Sequence, residues 1–194
     1  MDRPLLEKAV KLQFIGRAGA GLDKIDLEYL KERGIHLFHA AEGNKDAVGE
    51  QAIGMLLALF NHIGKADQEV RKGIWKREEN RGEELQGKTV GIIGYGNMGS
   101  AMAKKLTGFD VRILAYDKYK TGFGNEFVEE ADFQLLLHES DIVSLHVPLT
   151  PETRNFLTLE ELESFGKPFW LINTARGEVI SFATLNAALD QGIL

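Results

Sequence analysis

The sequence predicts an α/β fold with a largely parallel sheet, and three observations support this class. Short apolar runs alternate with helical patterns along most of the chain, as expected of repeated βα units. A glycine-rich segment, residues 94–99, lies where one apolar run passes into a helical pattern. Hydrophobic residues make up 44% of the 194 residues, so we expect one folded domain, or one domain with part of another.

The apolar runs predict strands. They lie at residues 12–15, 35–39, 89–93, 111–116, 142–147 and 169–173. Between residues 50 and 70 the apolar positions recur at helical intervals, which predicts one long amphipathic helix. The charged, glycine-containing segment 76–88 is typical of a surface connection. It separates two early strands and the long helix from an uninterrupted series of βα units.

Charge and composition exclude several classes of partner. A formal net charge of −6 gives no general attraction to nucleic acid or anionic membranes. The absence of cysteine excludes disulfides and thiolate metal sites, and it fits a reducing compartment. The N-terminus lacks the pattern of a signal peptide, and the longest apolar stretch is too short to span a bilayer. We expect a soluble, cytoplasmic protein without a metal.

The motif G-x-G-x-x-G is formed by Gly94, Gly96 and Gly99 at a predicted strand-to-helix junction. The first glycine permits a tight turn, the second lets the backbone approach a pyrophosphate, and the third lets the helix pack on the strand. Asn97 and Met98 open that helix, so their amides would face the phosphates, helped by the helix dipole.

Asp117 ends the following strand, eighteen residues after Gly99, where a carboxylate can accept the ribose hydroxyls of a dinucleotide. The pattern therefore predicts a doubly wound, Rossmann-like sheet that binds a dinucleotide. An acid here would repel a 2′-phosphate, which favours NAD over NADP, although the neighbouring Lys118 and Lys120 weaken that inference. The alternative is that the glycines only shape a βα turn and Asp117 is a solvated acid.

Arg176 follows the last predicted strand in the segment "NTARG". Ligands of open α/β sheets bind at the carboxyl ends of the strands, so Arg176 would lie near the nicotinamide. Its guanidinium could grip a substrate carboxylate with two parallel hydrogen bonds. A structural salt bridge is an equally good interpretation of the spacing.

Four segments resemble one known family in their order and separation. They are "FIGRAGAGLDKID", "GKTVGIIGYGNMG", "LHVPLTPETRNFL" and "LINTARGEVI", and the chain resembles the D-isomer-specific 2-hydroxyacid dehydrogenases, especially their 3-phosphoglycerate dehydrogenase branch. The resemblance implies NAD as cofactor, a 2-hydroxy or 2-oxo acid as substrate, and a catalytic role for Arg176 at the carboxylate and carbonyl of the substrate.

The resemblance also assigns the remaining site residues. It implies that the backbone amides of Gly19, Ala20 and Gly21 bind the substrate carboxylate, although without it a plain glycine turn would be favoured. It further implies a set of residues along the cofactor. These are His146, Val147, Pro148, Thr153, Thr174, Ala175 and Arg176. His146 is not the catalytic histidine of the family.

The chain departs from the family pattern in several places. Asp23-Lys24 stands in place of an Asp-Asn pair, and Ser181-Phe182 in place of an acidic pair. The glutamate and histidine that transfer the proton in the family lie beyond the arginine helix, whereas this sequence stops at Leu194. We therefore expect a piece truncated at both ends. Residues 1–45 would be a remnant of a flavodoxin-like substrate domain, and residues 46–194 an incomplete NAD-binding Rossmann domain.

The function implied for the parent protein is hydride exchange between the C2 atom of a D-2-hydroxy acid and the nicotinamide C4 atom. We expect this chain alone to be inactive because the catalytic pair is missing. The alternative is a non-catalytic NAD-binding module or truncated product, and a Rossmann methyltransferase is a distant third. The 50–70 helix could build a homodimer, or it could pack within one chain.

Overall fold

A five-stranded parallel sheet forms the larger part of the computed structural model, which describes residues 1–194. Its strands are β3 (Thr89–Ile93), β4 (Arg112–Tyr116), β5 (Val128–Glu130), β6 (Ile142–Leu145) and β7 (Trp170–Asn173). They lie in the order β5-β4-β3-β6-β7, and every pair is parallel. The chain runs outward in both directions from β3, so the predicted Rossmann-like, doubly wound class is confirmed.

A second, smaller sheet precedes it. Its elements are α1 (Arg3–Lys8), β1 (Phe14–Arg17), α2 (Leu27–Glu32) and β2 (His36–His39), with β1 and β2 parallel. The Asp26 carboxylate caps α2 by accepting the Tyr29 N–H at 2.9 Å. These elements bury a small core of their own. It consists of Leu6, Ile15, Ile25, Tyr29, Leu30 and Ile35.

Helices cover both faces of the larger sheet. The remaining helices are α3 (Lys45–Phe60), α4 (Ile63–Arg71), α5 (Asn97–Leu106), α6 (Phe133–Glu139), α7 (Leu159–Glu163) and α8 (Phe182–Asp190). The larger sheet has a hydrophobic core on each face. The core on one face packs α3 and α5 against the sheet, with Leu56 and Met102 fully buried. The second joins α6, α7 and α8 to the other face, with Leu136 and Leu162 fully buried. Parallel strands that are covered on both faces have nearly continuous apolar sequences, as β3 and β6 have here.

The single long helix predicted for residues 50–70 is wrong, because the chain breaks between α3 and α4 at His62, whose φ is +49°. The carbonyl of Phe60 accepts the Glu83 N–H at 3.1 Å. The Asn61 side chain donates to the Leu57 carbonyl at 3.0 Å. These contacts satisfy the end of α3 without a further helical turn.

Two further differences concern the strands. β5 was not predicted, because its only buried residue is Val128 and its pairing depends on the neighbouring β4. β6 ends at Leu145 instead of Val147. The His146 N–H still donates to the Ile93 carbonyl of β3 at 2.8 Å, and both His146 and Val147 line a cavity.

The segment 76–88 contains no helix or strand, as predicted for a surface connection. Its Leu85 is nevertheless buried in the core beneath α3. None of the helices combines the length and the apolar content that a bilayer crossing requires.

Candidate cofactor and substrate site

A cavity of about 740 Å³ opens at the carboxyl ends of β3, β6 and β7, facing the turn between β1 and α2. Eleven of the cofactor- and substrate-site residues predicted from the sequence line this cavity. These are Ala20, Gly21, Gly96, Asn97, Met98, His146, Val147, Pro148, Thr174, Ala175 and Arg176. Its size is that of a small-molecule site, roughly 300–1,000 Å³. Gly19, Gly94, Gly99, Asp117 and Thr153 lie outside its lining.

The glycine turn joins β3 to α5 in a tightly packed arrangement. Gly94 has φ of +94°, and a Cβ there would lie 2.8 Å from the His146 carbonyl oxygen. A Cβ on Gly99 would lie 2.1 Å from the Gly94 carbonyl oxygen, so α5 can approach the turn only with glycine at that position. A Cβ on Gly96 would meet nothing within 4 Å. Gly94 therefore allows the backbone conformation of the turn, Gly99 allows the close packing of α5, and Gly96 leaves the approach to the turn open.

The start of α5 offers donors to the cavity. The N–H groups of Asn97 and Met98 donate to no acceptor within the protein, as is usual for a first helical turn. The Asn97 side chain instead reaches the Ala41 carbonyl at 3.3 Å, linking α5 to the segment before α3. Free amides beside an open glycine backbone fit a pyrophosphate, so these residues fit a dinucleotide.

Asp117 lies beyond the cavity lining, at the end of β4. Its two carboxylate oxygens accept the N–H groups of Tyr95 and Tyr119, each at 2.9 Å. Each oxygen keeps a further lone pair for a hydroxyl donor. Tyr95 stacks on Phe123 with ring centroids 4.5 Å apart, which braces the glycine turn against the segment that follows Asp117.

The loop after β6 is held by two threonines. The Thr153 hydroxyl donates to the Pro148 carbonyl at 2.5 Å and accepts the Thr150 N–H at 2.8 Å. Thr153 therefore shapes the loop from behind, while Pro148 and Thr150 face the cavity.

His146 is largely buried, and this burial lowers its pKa to about 4. Its Nε2 atom lies 2.9 Å from the Ser144 hydroxyl and 3.1 Å from the Met102 sulfur. Its Nδ1 atom lies 3.5 Å from the Thr174 hydroxyl. The ring is therefore neutral near pH 7 and ties β6 to β7 at the floor of the cavity.

Arg176 is held by a carboxylate from the other sheet. The Asp23 Oδ1 atom accepts from Nε at 3.1 Å and from Nη2 at 2.8 Å, and the Ala175 carbonyl accepts from Nη1 at 2.8 Å. The hydrogen bond from Arg176 lowers the pKa of the Asp23 carboxyl. A Cβ on Gly21 would lie 2.0 Å from Nη2, so the guanidinium packs directly on that glycine.

The glycine turn after β1 has free amides on the cavity side. The Gly19 N–H turns back to the Arg17 carbonyl at 3.0 Å, whereas the N–H groups of Ala20 and Gly21 donate to no acceptor within the protein. Ala20 and Gly21 thus present donors beside the guanidinium of Arg176, and Gly19 presents none.

Several side chains that hold the site residues in place were not assigned that role from the sequence. Asp23 pairs with Arg176 across 153 positions, and Ser144 and Met102 hold His146. The Asn173 side chain donates to the Arg176 carbonyl and accepts the Ala175 N–H, both at 3.0 Å. Only Asn173 carried a local signal, because asparagine commonly bonds to backbone groups two or three residues ahead.

The fold and the glycine turn define a dinucleotide-binding α/β domain. Residues 53–194 match the family model described as D-isomer specific 2-hydroxyacid dehydrogenase, NAD binding domain. The chain therefore belongs to this family, and NAD is the cofactor of its domain. The predicted family and cofactor are confirmed.

Named relatives agree with this assignment. The chain is 39% identical over 190 residues to a hydroxypyruvate reductase of Thermotoga maritima, covering 97% of this chain and 61% of the relative. It is 37% identical over 197 residues to a D-3-phosphoglycerate dehydrogenase of Methanocaldococcus jannaschii, covering 99% and 37%. The crystal structure of a D-lactate dehydrogenase from Aquifex aeolicus, complexed with NAD and lactic acid, superimposes with a TM-score of 0.91 at 33% identity, covering 100% and 59%. The chain thus spans less than two thirds of each of these proteins.

Proposed function

We propose that this chain is the cofactor-binding core of an NAD-dependent oxidoreductase that acts on the CH–OH group of a D-2-hydroxy acid, as 3-phosphoglycerate dehydrogenase does. One observation carries the proposal: the guanidinium of Arg176 and the first turn of α5 line the same cavity. The names of the three relatives share a 2-oxo or 2-hydroxy acid but not one particular acid. They support the substrate class.

The cofactor would extend from the glycine turn to Arg176. Gly94, Gly96 and Gly99 would shape the phosphate site, with the free amides of Asn97 and Met98 as donors. Asp117 would accept the ribose hydroxyls of the adenosine. The nicotinamide half would lie along a second set of residues. These are His146, Val147, Pro148, Thr174, Ala175 and Arg176, with Thr153 supporting the loop.

The substrate carboxylate would lie between Arg176 and the turn after β1. Nη1 and Nη2 each keep a hydrogen that Asp23 and Ala175 do not take. The amides of Ala20 and Gly21 lie beside them, and Gly19 would give the turn its shape. Bound NAD would supply the exchange of hydride at C2, while these residues hold and orient the acid.

Proton transfer is the step for which the cavity lining offers no histidine that is protonated near pH 7. The only histidine in the cavity lining is His146, and its pKa of about 4 keeps it unprotonated near pH 7. A general acid works best with a pKa near the operating pH, and its loss costs about 10²–10⁴ in rate. We therefore propose that the chain alone has little or no turnover.

The test pairs two measurements on the purified chain. Fluorescence titration should detect NADH binding, and the absorbance of NADH should show no consumption with glyoxylate, hydroxypyruvate or pyruvate. Absence of NADH binding would refute the proposed site. Robust turnover would refute the proposed inactivity and would require a proton donor other than the family pair.

A non-catalytic NAD-binding module is the second candidate, and it is favoured by the engagement of Arg176 with Asp23. The two candidates differ in how a 2-oxo acid acts on NADH binding. A dehydrogenase core should bind NADH more tightly when saturating oxamate, an unreactive isostere of a 2-oxo acid, is present. A pure nucleotide module should bind NADH equally well with and without it.

Two further proposals concern organisation. The separate cores of the two sheets support a division into a substrate-domain remnant, residues 1–45, and an NAD-binding domain, residues 46–194.

A homodimer is supported by apolar side chains exposed on and after α3 and α4, including Met55, Ile63 and Trp75, the last 80% exposed. Light scattering after gel filtration tests the dimer. A cytoplasmic location stays a prediction of the sequence, which cell fractionation would test.

A further inference from the structure

Three donors follow Asp117 in the chain, and each has an acceptor within the protein. The Lys118 ammonium pairs with Glu152, and the Tyr119 hydroxyl donates to the other oxygen of the same carboxylate. The Lys120 ammonium donates to the Tyr95 carbonyl at 3.1 Å. Lys118 and Tyr119 thus share one carboxylate as their partner, whereas Lys120 contacts a neutral carbonyl.

Glu152 comes from a different part of the chain. It lies in the loop between β6 and α7, next to Thr153, whose bonds to Pro148 and Thr150 hold that loop in place. The carboxylate of Glu152 thus reaches from the nicotinamide side of the cleft to the residues that follow Asp117. The contact joins two loops at the carboxyl ends of β4 and β6.

The arrangement is unfavourable for a phosphate on the adenosine ribose. Such a group carries a charge of about −1.5 to −2 near pH 7 and needs cationic or hydroxyl donors around it. Here it would meet the carboxylate of Asp117, while Glu152 already engages Lys118 and the Tyr119 hydroxyl. The ribose hydroxyls of NAD need only acceptors at this position, so they are not penalised.

We infer that Glu152 is a second determinant of the choice of NAD over NADP, acting by withholding Lys118 and the Tyr119 hydroxyl from a 2′-phosphate. The inference rests on the proposed placement of the adenosine ribose at Asp117. Lys118 and Glu152 are 59% and 43% exposed, and exposed pairs are weak. Neutralising Glu152 should therefore release the lysine readily.

The test measures dissociation constants of NADH and NADPH for the chain by fluorescence titration. Glu152→Gln should lower the NADPH constant relative to the NADH constant by about three- to tenfold. Glu160→Gln removes the same charge from an exposed position in the first turn of α7 and should leave the ratio unchanged. The double variant Lys118→Gln/Glu152→Gln should lose most of the gain, since the released donor is gone.

The outcomes separate this inference from the proposed function. If the wild-type chain binds neither nucleotide, both the proposed site and the inference about Glu152 are refuted. If NADH binds but Glu152→Gln leaves the ratio unchanged, only the inference is overturned. A gain that persists in the double variant would contradict the role of Lys118. Thermal unfolding by circular dichroism confirms that each variant is folded.

Discussion

Asp23 and Arg176 join the two sheets of this protein through one carboxylate oxygen, which accepts from Nε at 3.1 Å and from Nη2 at 2.8 Å. The pair connects the turn after β1 to the loop after β7. It orients the guanidinium on Gly21 and leaves the free hydrogens of Nη1 and Nη2 for a ligand. A carboxylate of the protein thus positions the group proposed to bind a carboxylate of the substrate.

Replacing Asp23 with Asn should reduce stability by about 0.5–1 kcal/mol, since Arg176 is more than a third exposed and the pair is partly screened. The folded-state pKa of Asp23 is lowered, so the contribution is complete above the ordinary pKa of about 4 and is lost as pH falls from there through the lowered folded-state pKa. Urea unfolding at several pH values measures this. Glu126→Gln, which alters an exposed acid outside the helices and strands, serves as control, and an equal loss there would contradict the assignment.

Two alanine substitutions in the glycine turn should separate binding from stability. In Gly99→Ala the Cβ would lie 2.1 Å from the Gly94 carbonyl, so we expect a loss of about 1–3 kcal/mol in stability together with weaker NADH binding. In Gly96→Ala the Cβ enters open space at φ of −86°. Stability should change by less than about 0.5 kcal/mol.

NADH affinity of Gly96→Ala should nevertheless fall about tenfold or more, because the methyl group occupies the approach to the pyrophosphate. Chemical denaturation and fluorescence titration provide the two measurements. Unchanged NADH binding in Gly96→Ala would place the phosphates elsewhere.

Asp117→Ala should weaken NADH binding by about 1–3 kcal/mol, because a charged acceptor of hydroxyl groups is lost. NADPH binding should lose less or improve, since the repulsion of a 2′-phosphate is removed. Asp117 also accepts two backbone N–H groups, so a melting curve must accompany calorimetric titration. If the folded variant bound NADH as tightly as the wild-type chain, Asp117 would not be part of the NADH-binding site.

The stability of the chain should depend on pH through His146. Burial lowers its folded-state pKa to about 4 from 6.5, so the unfolded chain binds more protons between these values. Stability should be complete above about pH 6.5 and fall by up to about 3 kcal/mol as pH decreases toward 4. In His146→Gln the dependence over this interval should flatten. A slope that is unchanged in this variant would assign the effect to other groups.

The sequence predicted those parts of the fold that depend on local apolar pattern. β3 lies where its buried run predicted it, and the other predicted strands differ at their ends by one or two residues, whereas β5 was not predicted. The break at His62 could not be predicted, because the helical pattern continues through it. The contact between the Phe60 carbonyl and the Glu83 N–H comes from a distant segment.

The candidate site shows the same limit. Single positions such as Gly96 and Arg176 were found because a motif marks them, and both line the cavity. The groups that orient them were not marked. Asp23 lies 153 positions from Arg176, and Glu152 lies 34 from Lys118. Side-chain pairs of this kind depend on the packing of two loops, which spacing along one sequence does not reveal.

The Asn173 amide bonds in both directions within one turn, to the Arg176 carbonyl and from the Ala175 N–H. The loop that carries the guanidinium therefore takes its shape when the chain folds, before any ligand arrives. The entropy of ordering this loop is therefore lost during folding, and ligand binding does not have to order the loop again. In Asn173→Ala the same loop would have to order on binding, so ligand association should become entropically less favourable even if Arg176 is untouched.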